Sequence, residues 1–201
     1  MDKSHVWVRT FGGGVLHPFN PNINEIKLTD IIWPLAKTCR YNGGIKNRRD
    51  GAHVRALHYS VAEHSVLMAQ KLLLDFPDRP ELAFQGLMHD AAEAYVGDLV
   101  SPIKDVMPEF RDVEDGVLKV IFEKFEIEFP LSDVVKEYDT RILLDEVSAG
   151  LNPGDWDFGI EAEPLWIDLK FWTASTAFEE FVQMFGQLRA KIEVQTEEAA
   201  A

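Results

Sequence analysis

The chain has 201 residues, of which 46% are hydrophobic and 27% charged. This composition fits a single globular domain and excludes the disordered, collagen-like and disulfide-rich classes. The net charge of −14 disfavours double-stranded nucleic acid as a partner, because such binding depends on many Lys and Arg contacts to phosphates. No apolar run is long enough for a membrane span, and residues 1–10 lack a secretory signal. We therefore expect a cytoplasmic protein.

The predicted elements are almost all helical. Residues 6–24 are rich in Gly, Asn and Pro, which predicts an irregular N-terminal segment with a short edge strand at residues 5–10. Apolar spacing then predicts a short helix from Leu28 and further helices at residues 61–76, 81–95, 108–125, 133–147 and 173–192. Residues 150–164 are predicted to be a loop. The fold class is all-α, with one domain over residues 1–192 and a frayed tail at residues 193–201.

The helix at residues 81–95 carries polar groups in an apolar context. His89 and Asp90 follow a run of apolar residues, and Glu93 lies four positions after His89, on the same helical face. Burying an imidazole and two carboxylates without partners costs several kcal/mol. A divalent cation would remove that cost. The alternative is that one or two of these side chains point to solvent.

Two more polar residues occupy apolar helical faces. His64 has Val61, Leu67 and Met68 as neighbours on its helix, so it is either a ligand or a core histidine. Asp139 lies between Val135 and Ile142. With His89 and Asp90 these residues supply two imidazoles and two carboxylates, a set that suits Mn²⁺, Fe²⁺, Co²⁺, Ni²⁺ or Zn²⁺. Because Cys39 is the only cysteine, a cysteine-based zinc site is excluded.

The order H…HD…D, formed by His64, His89-Asp90 and Asp139, resembles the HD-domain metal-dependent phosphohydrolases. The surrounding sequence is similar to that of the bacterial and phage HD-domain 5′-deoxynucleotidases and deoxynucleotide triphosphohydrolases. The similarity lies in the motifs Glu63-His64-Ser65, Glu93…Gly97-Asp98 and Ser101-Pro102-x-Lys104. The resemblance covers residues 28–147. It implies an HD-domain helical bundle, one divalent ion held by the four ligands, and a homo-oligomer.

The resemblance also implies roles for residues outside the ligand set. Glu93 and Asp98 correspond to the carboxylates that serve the reaction, and Arg40-Tyr41 corresponds to an Arg-aromatic pair that contacts the substrate phosphate. Residues 37–55 hold six basic residues and one acidic residue, a segment that suits a small anion or is simply a solvated loop. Candidates for the outer phosphates are Lys46, Arg48, Arg49 and Lys104.

A longer polyphosphate would engage more of this basic segment. We therefore expect a deoxynucleoside triphosphate substrate, of the dATP type found among phage relatives, with shorter phosphates also accepted. In a viral setting the enzyme would act in the host cytoplasm. The alternatives are a 5′-deoxynucleotidase acting on dNMPs and a non-catalytic nucleotide-binding HD module.

Two related classes fit less well. Alarmone pyrophosphohydrolases carry an E-D pair after the HD pair, whereas Glu93 is followed here by Ala94. HD enzymes with two or three metals use further histidines downstream, and no histidine follows His89. A single catalytic metal is the better prediction.

Overall fold

The structure is a computed structural model that describes residue 3 and residues 5–45, 57–150 and 159–200. Within these ranges the chain is mostly helical, which confirms the all-α class, and the strands form a single two-stranded hairpin. The elements are β1 (Val8–Arg9), β2 (Val15–Leu16), α1 (Leu28–Lys37), α2 (Val61–Asp75), α3 (Pro80–Met88), α4 (Glu93–Val96), α5 (Ser101–Lys104), α6 (Pro108–Phe125), α7 (Asp133–Ala149) and α8 (Ala174–Ala200).

The N-terminal segment is irregular, as predicted, and its hairpin is tied to α1. Val8 pairs with Leu16 across the antiparallel strands. At the turn, the backbone N–H of Gly12 donates to Oδ1 of the buried Asp30. A Cβ at position 12 would lie 2.8 Å from that oxygen, so the close approach requires glycine.

Helix α2 lies at the centre of the molecule. Ser60 caps its first turn by accepting a hydrogen bond from the N–H of Glu63, as the capping-box pattern predicts. Residues 61–69 are all buried, because α1, α3, α7 and α8 pack around the helix. At the contact with α3, a Cβ on Gly86 would lie 2.5 Å from Leu72 Cδ1. The two helices that carry His64 and lead to His89 are therefore in close contact.

The helix predicted at residues 81–95 is interrupted. Helix α3 ends at Met88, and α4 begins only at Glu93. Between them, backbone bonds from Ala91 to Met88 and from Glu93 to Asp90 span three residues rather than four. His89 Nδ1 donates to the Gly86 carbonyl at 2.7 Å, the acceptor that a continuing helix would give to the backbone of residue 90. The His89 side chain thus competes with the backbone N–H of Asp90 for the Gly86 carbonyl.

The last helix is longer than its apolar pattern indicates. Helix α8 continues to Ala200, beyond the predicted end at Ile192. Residues 193–199 are exposed, and the Glu, Gln and Ala among them have high helix propensity. None of the described helices is long and apolar enough to cross a bilayer.

Residues 159–172 have no regular structure and are held by two buried carboxylates. Asp145 on α7 accepts hydrogen bonds from the N–H groups of Leu165 and Ile167, at 2.9 and 3.2 Å. Glu63 on α2 accepts from three consecutive N–H groups at 2.7–2.8 Å, those of Lys170, Phe171 and Trp172. The adjoining part of the predicted loop, residues 151–158, lies outside the described ranges.

Replacing Glu63 with alanine is expected to lower the free energy of unfolding by about 3 kcal/mol, because three partly buried N–H groups lose their acceptor and each such loss costs about 1 kcal/mol, the low end of the range for buried groups. Urea denaturation followed by circular dichroism measures the change. The control is Glu179→Ala, at an exposed position on α8. A loss no larger than that of the control would show that the three hydrogen bonds do not stabilise the fold.

Candidate metal centre

The four predicted metal ligands meet at one point in the bundle. His64 projects from α2, His89 and Asp90 follow the end of α3, and Asp139 projects from α7. The Nε2 atoms of the two histidines are 3.3 Å apart. Asp90 Oδ2 lies 3.2 Å from His89 Nε2, and Asp139 Oδ1 lies 3.2 Å from His64 Nε2 and 3.5 Å from His89 Nε2.

Both imidazoles present the same nitrogen to this cluster. His89 Nδ1 donates to the Gly86 carbonyl, and His64 Nδ1 donates to Glu146 Oε1, each at 2.7 Å. A carbonyl oxygen accepts but does not donate, so Nδ1 of His89 carries the proton. The Nε2 lone pairs therefore point at each other, between two carboxylates. This arrangement requires a positive charge between the rings.

The electrostatics of the cluster agree with this requirement. Burial alone would lower the pKa of His89, but the neighbouring Asp90 and Asp139 carboxylates outweigh burial and raise it well above its usual range. Burial would raise the pKa of Asp90, yet the histidines hold it at about 2. The carboxylates thus favour a positive charge in the place where a divalent cation would be bound.

The donor atoms fit such a cation. Ligand atoms of His64, His89 and Asp90 all lie within 4.8 Å of one another, and Asp139 Oδ1 is adjacent to both imidazoles. Two imidazole nitrogens and carboxylate oxygens are ligands that first-row transition metals accept. The arrangement is therefore a candidate site for one divalent transition metal. Arg141, two residues after Asp139 on α7, contacts Glu137 and the backbone carbonyl of Glu163.

The predicted phosphate-contacting pair borders the cluster. Arg40 and Tyr41 lie in a tight turn at residues 40–43, which follows α1. Arg40 Nη1 is 3.4 Å from Asp90 Oδ2, and its Nε is 3.3 Å from Glu146 Oε1. Tyr41 has a φ of 55°, a left-handed conformation that is uncommon for an aromatic residue, and its hydroxyl donates to Glu146. Lys46, Arg48 and Arg49 lie outside the described residues.

Glu93 and Asp98 line the same cavity as Arg40, Tyr41 and Asp90. Glu93 Oε1 accepts a hydrogen bond from Lys104 Nζ at 2.9 Å, whereas its buried Oε2 has no hydrogen-bond partner among the described residues. Burial and the nearby Asp90 raise the pKa of Glu93 to about 9, although Lys104 acts in the opposite direction. Burial also raises the pKa of Asp98. Two carboxyl groups with raised pKa values beside a metal-competent cluster are typical of a catalytic site.

Lys104, a candidate contact to the outer phosphates, lines the cavity and is held by two carboxylates. Its Nζ is held between Glu93 Oε1 and Glu114 Oε1, at 2.9 and 2.8 Å. Glu114 comes from α6, and no motif in the sequence points to it. Lys104 is thus engaged by two carboxylates at the wall of the cavity.

These groups surround a cavity of about 600 Å³, a volume in the range of small-molecule sites. The lining combines polar and apolar side chains. The polar ones are Arg40, Tyr41, Asp90, Glu93, Asp98, Ser101, Lys104, Asp139 and Thr140, and the apolar ones are Leu99, Val100, Pro102, Leu143 and Ile160. A ligand with both charged and apolar parts would match this lining.

Fold and site together define a helical protein with a buried two-histidine, carboxylate-containing group suited to a divalent metal. The chain is 32% identical over 151 residues to the uncharacterized protein YfdR of Escherichia coli strain K12. The aligned residues make up 75% of this chain and 76% of that protein. It belongs to the YfdR family. A second relative, an uncharacterized protein of Rhodobacter capsulatus, is 29% identical over 142 residues, or 67% of each chain. No protein-family model matches the sequence.

Proposed function

We propose that this chain is an HD-domain phosphohydrolase that uses one divalent transition metal to hydrolyse deoxynucleotides, with a dATP-type dNTP as the preferred substrate and shorter phosphates also accepted. The observation that supports the proposal best is the convergence of two imidazole nitrogens with the carboxylates of Asp90 and Asp139, both of which line one cavity. Arg40 and Glu93 line the same cavity. The site therefore combines cation ligands, an anion-binding group and a titratable carboxyl.

The chemistry divides among these residues. When bound, the metal supplies Lewis-acid polarisation of a phosphoryl oxygen and lowers the pKa of water. Arg40 holds phosphate oxygens with its planar guanidinium. Without a cation the pKa of Glu93 is about 9, in part because of the neighbouring Asp90 carboxylate; a cation bound by Asp90 would offset that repulsion and lower the pKa. Glu93 then orients the attacking water and accepts its proton on the unpartnered Oε2, and Asp98 donates a proton to the leaving oxygen as the phosphorus–oxygen bond breaks. The raised pKa of Asp98 suits proton donation.

A 5′-deoxynucleotidase acting on dNMPs is the second candidate, and one observation favours it. The cations that line the cavity in the described part of the chain are Arg40 and Lys104, and Lys104 is already paired with Glu93 and Glu114. This leaves Arg40 as the group for a single phosphate. A triphosphate preference therefore depends on the basic residues at positions 46–49.

A panel of dNTPs and dNMPs tests both candidates. The purified protein is loaded with Mn²⁺ or Co²⁺, and phosphate products are quantified for each nucleotide, with chelator-treated protein as the control. Metal-dependent release from dATP with a higher kcat/KM than from dAMP is the expected result. Higher kcat/KM on dNMPs would favour the 5′-deoxynucleotidase. Binding of nucleotide without release would favour the non-catalytic module.

Arg40→Ala is expected to lower kcat/KM for all nucleotides, because Arg40 lies beside the candidate metal ligands. Removing the charge of Lys46, Arg48 or Arg49 should lower kcat/KM for dNTPs more than for dNMPs, because only the longer substrate would reach those residues. Exposed charge contacts are worth up to about 1 kcal/mol, so each change should be several-fold and smaller at high salt. The measurement is kcat/KM for matched dNTP and dNMP pairs at two ionic strengths. Equal effects on both would identify the segment as a solvated loop.

A further inference from the structure

A buried carboxylate that belongs to no recognised motif lies directly behind the candidate metal centre. Glu146 is on α7, seven residues after Asp139, and is 0% exposed. Residues seven apart on a helix lie nearly on the same face, two turns away from each other. Helix α7 therefore places one carboxylate in the cluster and a second carboxylate behind it.

The two oxygens of Glu146 receive donors from two parts of the site. Oε1 accepts hydrogen bonds from His64 Nδ1 and from the Tyr59 hydroxyl, both at 2.7 Å. Oε2 accepts from the Tyr41 hydroxyl and lies 3.4 Å from Arg40 Nη2, and Arg40 Nε lies 3.3 Å from Oε1. Burial of an unpaired carboxylate would be costly. Glu146 is instead surrounded by donors, and Arg40 and His64 outweigh burial to hold its pKa at about 2.

The contact with His64 determines which ring nitrogen is free. A carboxylate that accepts from Nδ1 fixes the proton on that atom, so the Nε2 lone pair faces His89 and Asp139. Carboxylates that orient a ligating histidine in this way typically contribute about 10–100-fold to metal affinity.

The contacts with Arg40 and Tyr41 act on the other half of the site. Tyr41 and the following Asn42 both have left-handed φ angles, 55° and 52°, and such a conformation persists only when surrounding contacts hold it. The Tyr41 hydroxyl and the Arg40 guanidinium both meet Glu146. The same carboxylate therefore holds the turn that carries the proposed phosphate contact.

We propose that Glu146 is a shared positioning residue, which fixes His64 as a metal ligand through one oxygen and holds the Arg40–Tyr41 turn for phosphate through the other. This proposal rests on the proposed function, because it takes the cluster as a metal site and Arg40 as an anion contact. Glu146 itself touches neither the substrate nor the reacting atoms.

The test is Glu146→Gln, which keeps the size of the side chain but turns one acceptor oxygen into an NH₂ group. That NH₂ must face either His64 or the Arg40–Tyr41 turn, so one of the two must lose its acceptor. We expect at least a tenfold increase in the Kd for Co²⁺, or in the Kd of the Co²⁺-loaded protein for inorganic phosphate, both measured by calorimetry. ¹⁵N NMR of the metal-free protein should show His64 with its proton on Nδ1 in the wild type.

Asp145→Asn is the matched control, because Asp145 is the adjacent buried carboxylate on α7 and binds the backbone of residues 165 and 167. It should change neither Kd. Wild-type affinities for both Co²⁺ and phosphate in Glu146→Gln would overturn the proposal, as would a wild-type His64 with its proton on Nε2. A wild-type protein that binds no Co²⁺ would instead overturn the proposed function, and this inference with it.

Discussion

Replacing Asp90 or His64 with alanine is expected to reduce bound metal to background and to abolish phosphate release. Asp90 Oδ2 lies 3.2 Å from His89 Nε2, and His64 Nε2 lies 3.2 Å from Asp139 Oδ1, so each change removes a donor from the cluster. A metal ion contributes several kcal/mol to transition-state stabilisation, which corresponds to a rate loss of about 10³-fold or more. Metal content by mass spectrometry and phosphate release measure the two effects.

Two controls separate loss of the site from loss of the fold. The helical signal in circular dichroism should persist in Asp90→Ala, because the side chain lies at the edge of the cavity. His17→Ala removes a histidine that is also paired with a carboxylate, Glu25, but lies in the N-terminal segment, and it should retain metal and activity. Full activity in either ligand variant would refute the assignment of the four residues as a metal centre.

Glu93→Gln is expected to lower kcat by about 10²-fold to 10⁴-fold, the usual contribution of a positioned acid or base. Metal binding and nucleotide affinity should remain, because Glu93 is not part of the cluster of donor atoms. A glutamine keeps an oxygen that can accept the hydrogen bond from Lys104 but cannot take a proton from water. Single-turnover rates and nucleotide Kd values, measured on metal-loaded protein, separate chemistry from binding.

Glu114→Gln provides the matched comparison for Glu93. Glu114 contacts the same Lys104 nitrogen from α6, so its replacement perturbs Lys104 without removing the proposed proton acceptor. Its kcat should fall by much less than that of Glu93→Gln. If Glu93→Gln instead raised KM and left kcat intact, Glu93 would be a substrate contact, and the water would need another base.

The sequence predicted the parts of the molecule that depend on local patterns. The start of α2 follows from the Ser60 cap, and α6 has the predicted bounds, Pro108–Phe125. Helix α7 begins after Ser132, whose side chain accepts from the N–H of Val135, as the cap pattern indicates. The grouping of His64, His89, Asp90 and Asp139 was also predictable, because polar residues on apolar faces need a shared partner.

Features that depend on contacts between distant segments were not predictable. No local sequence pattern indicates that the His89 ring hydrogen-bonds to the Gly86 carbonyl at the end of α3. Glu114 and Glu146 resemble ordinary acidic residues of amphipathic helices, and their roles follow only from tertiary neighbours, Lys104 for the first and His64 for the second. The one signal for Glu146 in the sequence was an acidic residue two helical turns after Asp139, on the same face of the predicted helix.

The hydrogen bonds that hold residues 159–172 to Glu63 and Asp145 affect how the cavity of this protein can change during evolution. Glu63 immediately precedes His64 on α2, and Asp145 immediately precedes Glu146 on α7. The segment is therefore attached to α2 and α7, two of the helices that carry the candidate ligands, through neighbouring residues with different partners. Ile160 lines the cavity and precedes these anchors in the chain. Replacement of Ile160 would thus alter the lining of the cavity while both anchors and all four candidate ligands stay in place, so the range of ligands and the metal site can evolve separately.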